Sequence, residues 1–212
     1  MQHWFSTDRD PADRAEFERW ARHLSVLGAD GRLAEVPSAP PEQALRPARR
    51  GDFCASPGGE ILLWNAVLAG GGRDAVLATG IRWEHEGPLW SRDDWSAVEV
   101  WTEAELCSLH GLFRAGRAAA ASGDSEWARA VRRRIESAVA WHIEYTQPDN
   151  ATNRPWATHV FLLVGGGSRR GGERLYAETL VHNVQAQASS DPTSRWILAD
   201  AARELTTALD AA

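Results

Sequence analysis

Apolar residues recur at the spacing of an α-helix along most of the chain, and this pattern predicts an all-α protein. The first such stretch covers residues 11–27. Asp10 is a favourable N-cap, Pro11 suits the first helical position, and Gly28 is a favourable residue just past a helix end. The sequence therefore predicts a first helix with defined limits.

The pattern is clearest in the second half of the chain. Thr102 and Glu105 have the spacing of a capping box, which predicts a helix from there to about Ser122. A short connection follows, in which Asp124 caps the next helix, and that helix ends before Pro148.

Further apolar stripes predict helices at residues 60–69, from about 153, at about 173–188 and from 192 onward. Residues 73–101 have weak periodicity, which is compatible with short strands or with irregular helix. Short connections between long helices favour antiparallel neighbours. We predict about seven helices in antiparallel hairpins, arranged as a helical bundle or a partial α/α toroid.

The domain organisation follows from length and composition. A chain of 212 residues suits one helical domain spanning residues 1–212, and 43% hydrophobic residues can form its core. Several prolines between residues 29 and 58 break regular structure, so this segment is predicted to be a loop or wrapping arm.

Charge and residue usage narrow the class of partner. The net charge is −6 and no basic face is evident, which argues against nucleic acid as a partner. No run of apolar residues is long enough to cross a membrane, and the N-terminus has no signal-peptide pattern, so we expect a cytoplasmic protein. All basic residues are arginine, and with abundant Ala and Gly this usage is typical of a GC-rich bacterial coding sequence.

Tryptophan is unusually common, with 11 residues. Tryptophan anchors hydrophobic cores and also lines ligand grooves. Because most of these residues fall on apolar stripes, we expect the majority to lie in the core.

One segment departs from the plain core pattern, the helix–turn–helix corner predicted at residues 141–159. It concentrates polar and tryptophan side chains, and a small-ligand site needs apolar walls with a few directional groups. Trp141 and Trp156 would form the walls, while Asp149 would help to shape the opening. The candidate ligand-binding residues are Trp141, Glu144, Asp149, Asn150, Asn153, Arg154, Trp156 and, in a later helix, Asn183.

The same corner has a purely structural interpretation. Asp149, Asn150 and Asn153 are typical turn and cap residues, and Arg154 can bond the open carbonyls of the preceding helix. Both interpretations stay open on sequence grounds.

Four side chains are candidates for chemistry. His142 and His159 lie on the apolar sides of two predicted helices, and Glu178 and His182, four residues apart, share a face of a third. If the three helices pack together, the four groups converge. They would then act as general acid and base, or His142, His159 and His182 would bind Zn²⁺ or another divalent metal.

The alternative is that these histidines have a purely structural role as core or boundary side chains. No HExxH, GxSxG or EF-hand spacing is present, so neither a metal nor an enzymatic activity is specified by a motif.

The segment from Trp141 to Leu163, continued by residues 175–183, resembles uncharacterised bacterial helical proteins. The hairpin pattern of the second half is similar to part of an α/α toroid, the architecture of many carbohydrate lyases and hydrolases. The resemblance implies an all-helical fold; it implies no activity, and no catalytic residue is carried over from it.

Two functions are compatible with these observations. The first is a helical protein that binds a small molecule or acts on it as an enzyme, with its site where the 142–159 corner meets residues 178–183. The second is a non-catalytic interaction or scaffold protein that contacts a partner protein through the Trp-rich stretch 83–101 and the Pro-rich arm. An exposed apolar patch around the tryptophans would favour the second.

Overall fold

The structure is a computed structural model, and all regular structure in its described part is helical. It describes residues 11–26, 73–77, 80–95, 97–146, 154–164, 171–187 and 192–210. The α-helices of these residues are α1 (Pro11–Val26), α2 (Arg73–Leu77), α3 (Val98–Ser122), α4 (Ser125–Tyr145), α5 (Thr158–Val164), α6 (Gly171–Gln187) and α7 (Pro192–Asp210). These residues contain no β-strand, which confirms the predicted all-α class. For residues 73–101 the sequence allowed short strands or irregular helix, and the structure has a short helix there, α2.

The chain divides into two compact units. The first comprises Met1–Trp4 and Glu42–Ala151, and the second comprises Phe5–Pro41 and Thr152–Ala212. The single domain expected from the length stays a prediction. The predicted Pro-rich arm at 29–58 and the predicted helix at 60–69 lie outside the described residues.

The hairpin of α3 and α4 is the frame of the first unit. Gly123 ends α3 with φ 87°, a left-handed conformation that glycine adopts without steric cost. The Asp124 side chain then accepts a hydrogen bond from the Trp127 amide at 3.1 Å and caps α4, as predicted. The two helices are antiparallel. This follows because Glu105 contacts His142, and the two residues lie at almost equal distances along the chain from the turn.

The capping box predicted at Thr102 and Glu105 is wrong. Helix α3 begins one turn earlier, after Ala97, whose side chain makes no capping bond. The Thr102 hydroxyl donates to the Val98 carbonyl at 2.8 Å, a bond made inside a helix. Glu105 is fully buried and bonds a different segment, described below. A Thr-x-x-Glu pattern marks a helix start only where the backbone before it is non-helical, and sequence does not show that.

In the described part of the second unit, the long C-terminal helix is central. Helix α7 packs against α1 and against α5, and α5 also packs against α6. Helices α1 and α6 are therefore the outer members of this series of contacts. They are bridged by an ion pair between Glu16 and Arg174.

The predicted apolar stripes face the cores of their own units. In α4 the stripe from Trp127 through Val131 and Ile135 to His142 is buried. In the second unit, the buried apolar side of α7 includes Trp196 and Leu205, as predicted. Burial of these side chains removes apolar surface from water, which is the main favourable term in folding.

The short helix α5 begins later than its sequence suggested. A helix start near Asn153 was predicted, but α5 starts at Thr158. The residue before Pro155 is disfavoured in helical conformation, and Ala157 has a left-handed φ of 58°, which interrupts a right-handed helix. The Thr158 hydroxyl donates to the Pro155 carbonyl at 2.9 Å and closes this turn.

A helix that crosses a membrane needs about 20 consecutive, mostly apolar residues. None of the helices in the described part of the chain has both the length and the apolar character that this requires.

Candidate functional site

The four residues predicted to carry chemistry are divided between the units. His142 belongs to α4 in the first unit, whereas His159, Glu178 and His182 belong to α5 and α6 in the second. His142 and His159 are fully buried, in agreement with their predicted positions on apolar helix faces. His182 is exposed, although its helix face was expected to flank the apolar stripe. Convergence of all four groups stays a prediction.

His142 forms a buried pair with Glu105 of α3. The Nε2 atom of His142 lies 3.2 Å from Oε2 of Glu105, and neither side chain is exposed to solvent. On the other side of the ring, Nδ1 lies 3.2 Å from the Thr146 hydroxyl oxygen. The Thr146 hydroxyl donates its own hydrogen to the His142 carbonyl at 2.7 Å, so Nδ1 is the donor to this oxygen.

The position of a second proton follows from the contacts of the Glu105 carboxyl group. Its two oxygens accept hydrogen bonds from the amides of Leu89, at 2.9 Å, and Trp90. Because two lone pairs repel, a proton must lie between Nε2 of His142 and Oε2 of Glu105. Arg134, a buried guanidinium of α4, also interacts electrostatically with Glu105.

Arg134 holds the segment before α3 through three backbone carbonyls. Its guanidinium donates to Arg82 O at 3.0 Å, to Gly87 O at 2.7 Å and to Pro88 O at 2.6 Å. Burial lowers the pKa of Arg134, the negative charge of Glu105 opposes this effect, and Arg82 adds to it. A guanidinium has five donors in a fixed plane, which suits one side chain to bind several carbonyls at once.

Aromatic rings enclose this buried pair. Trp101 lies with its ring centroid 6.0 Å from that of His142, and the Trp141 ring meets the imidazole edge to face at 5.4 Å. Gly87 approaches Trp141 so closely that a Cβ there would lie 3.1 Å from the indole ring. Its φ of 92° also favours glycine.

The contacts of Glu105, Arg134 and His142 therefore have a structural role, which is to fix residues 82–90 on the α3–α4 hairpin.

A second polar arrangement lies at the surface of the second unit, between α1 and α6. It is a cleft of about 390 Å³, referred to below as the charged cleft. Its lining residues are Glu16, Arg19, Trp20, His23, Arg174 and Glu178. The four residues from α1 follow each other at spacings of three, one and three, which place them on one helix face.

The carboxylates of the charged cleft share one cation. Arg174 Nε lies 2.7 Å from Glu178 Oε1, and its Nη1 lies 3.3 Å from Glu16 Oε1. The hydrogen bond to Glu178, and then the negative charge of Glu16, raise the pKa of Arg174. Two carboxylates face one guanidinium here, so this side of the cleft has a net negative charge.

Glu16 and Arg19 differ in how their charges are satisfied. The Glu16 side chain is only 10% exposed, and a carboxylate removed from water requires a counter-charge. Within the described part of the chain, Arg19 is exposed and makes no hydrogen bond or ion pair. Arg19 is therefore available to bind an anionic group in the cleft.

The apolar part of the cleft is aromatic. Trp20 is 9% exposed, and His23 meets its ring edge to face with 6.0 Å between centroids. The Trp20 ring gives the cleft a flat apolar surface between charged groups. Apolar surface beside a few directional polar groups is the usual composition of a ligand pocket.

The other residues predicted to bind a ligand have varied positions. Trp141 is half-buried, Glu144 is exposed, Trp156 is buried, and Arg154 and Asn183 are half-buried. Asp149, Asn150 and Asn153 lie outside the described residues. Of the residues predicted to carry chemistry, Glu178 lines the charged cleft.

No metal centre is found among the described residues: no three or more His, Cys, Asp or Glu side chains come together there in a way that could hold an ion. The divalent-metal site suggested for His142, His159 and His182 stays a prediction of the sequence.

Five cleft residues were missed by sequence reasoning: Glu16, Arg19, Trp20, His23 and Arg174. A signal was present, because these α1 residues combine opposite charges with a tryptophan and a histidine on one helix face. It was overlooked because Trp20 also fits the apolar stripe of α1. Contact with α6 could not be inferred from helical periodicity.

Comparison with known proteins adds no family to this description. No protein-family model matches the chain, and neither the curated proteins nor the solved structures contain a match.

Proposed function

We propose that the protein binds a small polar molecule in the charged cleft of its second unit. The observation that carries this proposal is the joint presence, in one cleft, of an available cation, a buried carboxylate and an indole ring. These are Arg19, Glu16 and Trp20. A volume of about 390 Å³ lies at the lower end of the range of small-molecule sites, roughly 300–1,000 Å³.

The proposal keeps the first of the two functions inferred from sequence but moves its site. The predicted corner contributed His142 as a candidate, and His142 instead belongs to the buried pair of the first unit. Glu178 remains part of the proposed site. The proposed function is binding. If a reaction follows, Glu16, His23 and Glu178 are the cleft residues that would exchange protons with the bound molecule.

The location, the source and the helix arrangement expected from the sequence are part of the same proposal. The protein would be a cytoplasmic bacterial protein, with helices arranged in antiparallel hairpins as a bundle or partial α/α toroid. Partner binding through residues 83–101 is the alternative. In that stretch Trp90 is buried, and Trp83 stacks on Trp127 at 4.7 Å, so these rings serve the core of the first unit.

A thermal-stability screen tests the proposal. The purified protein is heated with individual amino acids, carboxylic acids, amines and sugars, and the midpoint of unfolding is measured. A ligand that binds only the folded protein stabilises it by about 2.7 kcal/mol at a concentration of 100 times its Kd. We expect at least one compound to raise the midpoint.

Variants then locate the effect in the cleft. Arg19→Gln and Glu16→Gln should reduce the rise in midpoint. The matched controls Arg22→Gln and Glu18→Gln, exposed residues of the same helix outside the cleft, should not. A rise that is equal in all four variants, or no rise with any compound, would overturn the proposal.

A further inference from the structure

The charges of the cleft point to a more specific ligand: we propose that it is a zwitterion of the amino-acid class with an apolar side chain. This inference rests on the proposed function and specifies its ligand. The ammonium group would lie against Glu16, the carboxylate would bind Arg19, and the side chain would contact Trp20.

The negative side of the cleft carries the first part of the argument. Glu16 is nearly buried and depends on Arg174, which lies on another helix and is about half exposed. Arg174 makes its shorter contact, at 2.7 Å, with Glu178 of its own helix. One cation thus serves two carboxylates, and an added ammonium group would bring this side of the cleft to neutrality.

Arg19 carries the second part. It lines the same cleft, and among the described residues no carboxylate pairs with it. A guanidinium recognises a carboxylate through two parallel hydrogen bonds, which makes it a suitable partner for the other end of a zwitterion. Trp20 lies one residue away on the same helix face, so an apolar side chain between the two charged contacts would meet an aromatic ring.

Size and overall charge carry the third part. The four ionic side chains of the cleft, two Glu and two Arg, sum to zero charge. A ligand of zero net charge but separated charges leaves that balance unchanged, whereas a simple anion or cation does not. The cleft volume of about 390 Å³ suits one amino acid better than a long peptide.

Isothermal titration calorimetry tests this assignment. The probes are L-phenylalanine, L-leucine and L-tryptophan, each compared with its amide, which lacks the carboxylate, and its N-acetyl derivative, which lacks the ammonium group. We expect at least one free amino acid to bind the wild-type protein. Each blocked derivative should bind about tenfold to a hundredfold more weakly, because one charge-assisted contact is lost.

Variants assign each contact to a residue. In Arg19→Gln the free amino acid and its amide should bind equally, because the partner of the carboxylate has gone. In Glu16→Gln the free amino acid and its N-acetyl derivative should bind equally. Arg22→Gln and Glu18→Gln should retain the wild-type preferences, since these residues do not line the cleft.

The outcomes separate this inference from the function on which it rests. If a compound from the thermal screen binds in the cleft but none of the three amino acids does, the zwitterion assignment is overturned and the proposed function stands. Equal binding of free and blocked forms by the wild type would also overturn the assignment. If no small molecule binds in the cleft, both fall.

Discussion

At the scale of single residues, Glu105 shows what sequence can and cannot provide. Its spacing from Thr102 predicted a capping role, yet its carboxyl group binds the amides of Leu89 and Trp90 and the imidazole of His142. The inward position of His142 was predictable from helical spacing. Its partner was not, because the two residues lie on different helices and only the hairpin brings them together.

Removal of the Arg134 side chain should destabilise the first unit strongly. Arg134→Met removes three hydrogen bonds to carbonyls and the positive charge that faces Glu105. Removing one member of a buried, charged network typically costs about 3–5 kcal/mol. We expect a decrease of this order in the free energy of unfolding, measured in urea by circular dichroism. Arg133→Met, at an exposed neighbouring position, should change it by less than about 0.5 kcal/mol. Similar effects of both would contradict the assigned role.

Tyr145 provides a prediction on pH. Its hydroxyl is exposed, and the carboxylate of Glu144 raises its pKa, first as a hydrogen-bond acceptor and then as a neighbouring negative charge. The phenolate that forms at high pH is disfavoured beside a carboxylate, so Glu144→Gln should shift the titration of Tyr145 to lower pH. Absorbance at the phenolate band measures this, with Tyr145→Phe identifying its contribution against that of the buried Tyr176. An unchanged titration in Glu144→Gln would disprove the interaction.

At the scale of helices, the sequence was most informative where several signals agreed. The limits of α1 and α4 were predicted closely because Pro11, Asp124 and Pro148 mark them in addition to the apolar stripe. The start of α3 was missed because Ala97 is no capping residue and leaves no mark. The cleft was missed because it lies between α1 and α6, which are distant along the chain.

The capping assignments can be compared directly. Asp124→Ala removes the acceptor of the Trp127 amide at the start of α4 and should reduce the free energy of unfolding by about 1 kcal/mol. Thr102→Val, which keeps the side-chain shape, should have a smaller effect because Thr102 lies inside α3 and caps no amide. Denaturant unfolding of the two variants decides the matter. A larger loss for Thr102→Val than for Asp124→Ala would contradict the roles assigned to these two residues.

At the scale of the whole molecule, composition and periodicity predicted the all-α class and little of the site. The helices follow from local spacing, whereas the division into two compact units depends on contacts between distant segments. For the same reason the predicted His and Glu candidates fall in both units. The charged cleft is formed by α1 and α6, which belong to the same unit although they are far apart along the chain.

Nuclear magnetic resonance of the tryptophan indole groups tests the central claim, that the charged cleft binds a small molecule. The protein is labelled with ¹⁵N and titrated with the compound that raises its unfolding midpoint most. The Trp20 signal is identified by its absence in Trp20→Phe. We predict a saturable shift of that signal, while the signals of Trp83 and Trp127, stacked on each other in the first unit, stay in place. A Trp20 signal that does not move while the compound binds would contradict the claim.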